Sequence, residues 1–181
     1  MNRSPFGPGT LILGSAALLL MAVLAAGFLL PADWEASAST VMDASAEEVY
    51  AFLDTPEGWQ SWTAWPDSGL VRSGPERGAG ARIAWDDDEL GAGAFEIVDA
   101  VPNERVTYTV DVGDGAMRTE GALTLSEDPV GILVAWYESG DLGRNPLMGY
   151  WALFMDRAQT AELERSLDRL RTVVSDRERS R

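Results

Sequence analysis

The sequence predicts an α+β fold: a curved antiparallel sheet around a long C-terminal helix, preceded by one transmembrane helix. Three observations carry this. Between Leu70 and Ser139, six stretches read as strands separated by short turn signals. From Asn145 to about Val174 the chain reads as its longest soluble helix. From Leu11 to Leu30 no residue is charged, and Leu and Ala dominate.

Taken in order, Met1–Thr10 is a short polar lead with one charge, Arg3. Residues 11–30 are long enough to cross a hydrocarbon core of about 30 Å and longer than the usual secretory core of roughly 7–15 residues. The reading is a single-pass cell-membrane helix with the N-terminus cytoplasmic and the domain outside, since Arg3 precedes the span and Asp33 and Glu35 follow it. Cleavage after Ala36-Ser37-Ala38, giving a secreted form, is the alternative. A domain then occupies residues 34–175. Trp34–Met42 reads as a first strand. Ser45 and Glu48 have the spacing of a capping box, in which hydroxyl and carboxylate each satisfy a free backbone amide. Val49, Phe52 and Leu53 give that helix its buried stripe, and Thr55-Pro56 ends it. Trp59, Trp62 and Trp65 follow within seven positions.

The strand candidates are 70–73, 80–86, 92–100, 106–112, 117–125 and 132–139. Their turn signals are Gly74-Pro75, Asp86-Asp87-Asp88, Pro102-Asn103, Gly113-Asp114-Gly115 and Asp128-Pro129. Strands so closely spaced predict an antiparallel meander. Val106, Tyr108, Val110 and Val112 share one face; Thr107, Thr109 and Asp111 share the other. In the final helix, Asn145 caps and Pro146 stands at the first position. Leu147, Trp151, Phe154, Ala158 and Ala161 form one apolar set; Leu163, Leu167, Leu170 and Val174 form a second on roughly the opposite side. The two halves therefore bury different faces, or the helix kinks between them. Residues 176–181 read as a charged, frayed tail.

Composition removes several kinds of chemistry. The 181 residues contain no Cys, no His and no Lys. Disulfides, thiol nucleophiles, imidazole bases, Schiff bases and most zinc sites are thereby excluded. With 29 acidic and 14 basic residues the formal charge is −15, which argues against nucleic acid as a partner. Asp86-Asp87-Asp88-Glu89 lacks the ligand spacing and central Gly of a calcium loop and reads as a solvated turn. No metal and no cofactor is expected.

Candidate binding residues are aromatic. Trp85, Tyr108 and Trp136 lie on predicted strands; Trp62, Trp65, Trp151 and Met155 lie on flanking helices or loops. Rings and a flexible thioether can line an apolar pocket, or simply pack a core. Trp59 is assigned to packing. If Val134 and Trp136 face inward, so does Glu138; a carboxylate in an apolar pocket would have a raised pKa. The competing arrangement puts Glu138 in solvent or on an Arg such as Arg118. Glu96 and Arg82 raise the same question.

Strand, two short helices, a meander and one long helix is also the order of a known family, and the words agree. "VMDASAEEVYAFLDTPEGWQSWTAWPD" resembles the opening of the START-like (SRPBCC, polyketide cyclase/dehydrase and lipid transport) superfamily. "FEIVDAVPNERVTYTV" resembles its hairpin, and "GILVAWYESGDLGRNPLMGYWALFMD" its last strand and closing helix. The resemblance covers about Trp34 to Val174 and implies the helix-grip fold, with an apolar cavity between sheet and long helix. Tyr137-Glu138-Ser139 departs from it by placing a carboxylate where a neutral residue is more usual.

The leading functional reading is a membrane-anchored protein that holds a small hydrophobic ligand without covalent chemistry. Its ligand would be a lipid, quinone, isoprenoid or polyketide-like ring, and its bilayer contact residues 11–30. One alternative is a cyclase or dehydratase using Glu138 or another buried carboxylate with a Tyr such as Tyr108 or Tyr150. Another is an envelope interaction module with a packed interior, touching its partner through the helix face around Trp151.

Overall fold

A computed structural model describes residues 8–65, 69–87, 91–113, 115, 117–143 and 145–179. The Met1–Gly7 part of the lead, Asp88 and Glu89 of the acidic turn, Asp114 and the last two residues of the tail lie outside the described residues. The elements are α1 (Pro8–Leu29), β1 (Asp33–Met42), α2 (Ala46–Tyr50), α3 (Pro56–Gln60), β2 (Val71–Ser73), β3 (Arg82–Asp87), β4 (Gly91–Val101), β5 (Arg105–Val112), β6 (Met117–Asp128), β7 (Gly131–Asp141) and α4 (Pro146–Arg179).

The capping box forms as its spacing requires. The Ser45 hydroxyl accepts from the Glu48 amide at 3.3 Å, and the Glu48 carboxylate accepts from the Ser45 amide at 3.1 Å. Thr55 caps α3 in the same way, accepting from the Gly58 amide at 3.0 Å, and Pro56 fills the first turn. These short helices matter because α3 delivers Trp59 and α2 delivers Val49 to the interior, where both are fully buried.

The seven strands form one antiparallel sheet in the order β1-β7-β6-β5-β4-β3-β2. The six later strands follow chain order, as a meander should. β1 instead joins the far edge, pairing with β7 from Asp33↔Asp141 to Met42↔Ile132. The chain thus crosses from one edge of the sheet to the other through α2 and α3. A bulge falls between Ile97 and Asp99, turning Val98 out to solvent.

α4 closes the concave face and runs as one uninterrupted helix through residue 161. Its second apolar set behaves as predicted: Leu163, Leu167, Leu170 and Val174 are buried. Its first set does not. Leu147, Trp151 and Phe154 are exposed, and the core instead receives Ala152 from this half. The reason is that the start of α4 runs past the sheet and meets α1. Helix also continues to Arg179, so most of the charged tail is part of α4. Ion pairs one turn apart, such as Asp176–Arg179 at 2.5 Å, accompany the extension.

The middle of the domain is filled by rings. The Trp59 ring centre lies 4.8 Å from Trp62, 4.8 Å from Phe95, 4.6 Å from Tyr108 and 5.9 Å from Trp136. Its indole nitrogen donates to the Leu53 carbonyl at 2.7 Å. Truncating a buried Trp of this kind costs on the order of 3–5 kcal/mol, so this cluster is the main fastening between the short helices and the sheet.

Candidate functional site

One row of residues across the sheet sets the site. Tyr108 on β5 pairs with Gly121 on β6, and Gly121 pairs with Glu138 on β7. All three side-chain positions therefore share the concave face. Gly121 leaves the middle of the row empty. A Cβ there would come within 2.5 Å of the Tyr108 ring, so the phenol lies across the glycine and its hydroxyl reaches the Glu138 carboxylate, to which it donates. Two other aromatics use the same device: Trp34 lies over Gly140 and Trp85 over Gly93.

Glu138 is 5% exposed. Tyr108 donates to one carboxylate oxygen, and Gln159 on α4 donates to the other at 2.6 Å. The Trp136 indole in turn donates to the Tyr108 hydroxyl at 2.7 Å. This chain of donors is what allows a carboxylate to sit among rings, because an unpaired one would be prohibitive. Burial raises the Glu138 pKa above its ordinary value, although both hydrogen bonds pull the other way. Burial first, and the Glu138 charge second, push the Tyr108 hydroxyl well above its usual value, so it stays a donor.

Beside this chain lies a half-open cleft of about 240 Å³. Trp59, Trp65, Phe95, Tyr108 and Trp136 form its apolar wall; Glu138, Gln159, Thr63, Glu162 and Ser166 supply polar atoms. Glu162 stands on a different footing from Glu138. Burial alone would raise its pKa, but hydrogen bonds and charge from Arg169 and Arg165, at 2.8 and 2.7 Å, outweigh it and hold it low. Arg169 also donates to the Trp62 carbonyl at 2.7 Å, tying α4 to the segment after α3.

The structure brings Trp65, Tyr108, Trp136 and Glu138 together at this cleft and leaves the other four candidates elsewhere. Trp62 is 1% exposed and packs behind the wall, its indole donating to the Phe52 carbonyl at 3.4 Å. Trp85 is buried against Gly93, stacked with Trp65, and its indole nitrogen has no partner among the described residues. Trp151 faces outward, and Met155 is half-buried on the edge of the core. Arg118 does not approach Glu138; it pairs with Asp111 and Glu120. Glu96 and Arg82 pair with each other at 3.0 Å, half-exposed. Gln159, Glu162 and Ser166 also line the cleft, and strand alternation and aromatic content do not single them out. A signal for Gln159 existed: it stands four residues before Leu163, one turn back along the buried stripe.

Residues 33–175 match the family model described as polyketide cyclase / dehydrase and lipid transport, and the chain belongs to that family. No curated protein matches the sequence. Among solved structures, a protein of unknown function from Staphylococcus aureus aligns with TM-score 0.65 and 14% identity, covering 81% of this chain and 96% of its own. A Thermus thermophilus protein aligns with TM-score 0.60 and 21% identity, over 78% and 97%. A di-domain ARO/CYC protein from the steffimycin biosynthetic pathway aligns with TM-score 0.61 and 13% identity, over 82% of this chain and 52% of that one. At these identities the likeness is one of fold.

Two outcomes test the site. Gly121→Ala destabilises the protein by about 1–3 kcal/mol in denaturant unfolding, because the new methyl has no room under the phenol. In a Tyr108→Ala background the same substitution costs clearly less. The second concerns pH. The fold raises the Glu138 pKa, so Glu138 contributes less to stability as pH rises from the ordinary carboxylate value through the raised one. Glu138→Gln does not titrate, so its melting temperature relative to the parent climbs as pH rises above the ordinary carboxylate value of about 4. A flat difference contradicts the assignment.

Proposed function

We propose that this protein is a membrane-tethered binder of one small ring-bearing molecule, or of the ring or chain end of a larger lipid. The observation that carries the proposal is Glu138, a buried carboxylate opening onto a cleft otherwise walled by Trp65, Phe95 and Trp136. Ligand pockets typically run from about 300 to 1,000 Å³. A cleft of about 240 Å³ therefore suits a single small ring system and is too small for a whole lipid. The aromatic walls supply apolar area, and the carboxylate asks for a hydroxyl or other donor on the ligand. The family's description, which joins cyclases with lipid transport, supports this class of ligand.

The tether in this proposal is α1. Its Ile12–Leu29 stretch has mean hydropathy 2.4 and is long and apolar enough to cross a membrane; such a helix fits an anchor or a signal sequence. The proposal takes it as a retained single-pass anchor, with residues 34–175 as one domain on the side opposite the N-terminus.

A specific observation favours a second reading. Two carboxylates meet one cleft with their pKa values pushed apart, Glu138 up and Glu162 down. Such a split is how sites separate a proton donor from a proton acceptor, which fits a cyclase or dehydratase.

Binding is tested with the full chain in detergent and a naphthol as probe. The naphthol quenches the cleft tryptophans, and its methyl ether binds more weakly. Losing a hydrogen bond to a charged group removes about 1.5–3 kcal/mol, so Glu138→Gln weakens naphthol by about tenfold or more. Equal binding of naphthol and ether, or none of either, removes the proposal. For the second reading, the ligand that co-purifies with the protein is identified by native mass spectrometry in the parent and in Glu138→Gln. Catalysis predicts a product from the parent and an unreacted precursor from the variant; the same molecule from both excludes it.

A further inference from the structure

The first half of α4 carries an apolar face that the domain does not use. Successive helical residues are about 100° apart, so Leu147, Trp151 and Phe154 share one face. They are 55%, 58% and 68% exposed. From Pro146 to Met155 no residue is charged; Asp156 is the first. That charge accepts a hydrogen bond from the Glu35 amide at 3.1 Å, on the β1 side of the joint. A face this apolar, with a tryptophan in its middle, has the composition of a helix at a membrane interface.

The neighbouring face of α4 fixes where the stripe lies. Gly149 stands against the Gly27 carbonyl and Leu30, where a Cβ would come within 2.7 Å of each. Two glycines thus let the backbones of α1 and α4 touch. The Tyr150 hydroxyl donates to the Val23 carbonyl at 2.7 Å. Val23 lies six residues before Leu29, the end of the apolar stretch, or about 9 Å along the helix. The start of α4 is therefore bound to the last turns of α1, whose own exposed apolar residues include Phe28 and Leu29. Whatever solvates the end of α1 also meets Leu147, Trp151 and Phe154.

We propose that the first ten residues of α4 lie in the interfacial layer of the bilayer that α1 enters, with Leu147, Trp151 and Phe154 against lipid. The proposal rests on α1 being a retained membrane span. It has a consequence for the cleft. Gln159, which holds Glu138, follows Phe154 by five residues, about 8 Å along the same helix. The wall of the cleft then begins just above the headgroups, where a ring-bearing lipid could be exchanged without crossing water.

The chain has no cysteine, so single labels are unambiguous. Full-length Leu147→Cys, Trp151→Cys and Phe154→Cys are labelled with an environment-sensitive fluorophore in phosphatidylcholine nanodiscs. Leu20→Cys reports on the span and Glu164→Cys on solvent-exposed α4. Lipid carrying a nitroxide near the glycerol quenches the labels at 147, 151 and 154, and iodide quenches them about fivefold less than the label at 164. If position 20 is lipid-quenched while 151 and 154 behave like 164, the interfacial placement is wrong and the span stands. Shielding of 151 and 154 from both quenchers means a second copy or another protein covers the face, which also overturns the proposal. If position 20 itself is quenched by iodide and not by lipid, the membrane reading fails and takes this proposal with it.

Discussion

The Glu138 carboxylate, buried in an aromatic interior, is the constraint around which this domain is arranged. Glu138 is held by two donors from two different elements, Tyr108 on β5 and Gln159 on α4. Neither donor is a cation, so the charge is stabilised by hydrogen bonds alone and the pKa remains raised. That condition propagates outward. Tyr108 reaches the carboxylate only because Gly121 is vacant, and it is oriented by the Trp136 indole. Gln159 reaches it only because α4 crosses the sheet at this row. The register of three strands and the placement of the closing helix thus meet in one group.

The same residues explain why the interior is partly open. Trp59, Trp62, Phe95, Tyr108 and Trp136 pack edge to face and at tilts, as ring quadrupoles favour. Flat, rigid side chains meeting at such angles leave a gap at the side where α4 arrives. Polar side chains from α4 line that gap. Where the family resemblance implies an apolar cavity between sheet and long helix, the domain has this cleft of about 240 Å³. It is an aromatic core with a small cleft and two acidic groups, Glu138 and Glu162, at its edge.

α4 does two jobs in succession along one continuous helix. Its second half is a core element, with Leu163, Leu167, Leu170 and Val174 on the sheet. Its first half overhangs the sheet and is bound to α1 through a glycine contact and the Tyr150–Val23 hydrogen bond. A rigid helix shared in this way fixes the height of the cleft above the end of the apolar span. In the membrane-tethered reading, that is the distance a ligand has to travel.

Local patterns in the sequence determined most of the fold. The capping box at Ser45, the six alternating stretches, the Leu163–Val174 stripe and the uncharged run each depend on neighbours within a few residues, and each formed. Tyr108, Trp136 and Glu138 could be picked as candidates for the same reason: strand alternation settles which residues share a face. Tertiary structure decided the rest. Alternation does not say that Tyr108, Gly121 and Glu138 stand in one row, because register depends on how separate strands slide past each other. Periodicity marked Leu147, Trp151 and Phe154 as apolar but could not say whether protein or something else covers them. Nor could it tell a tryptophan that walls a cleft, Trp65, from one that packs behind it, Trp62, since burial is a property of what arrives from elsewhere in the chain.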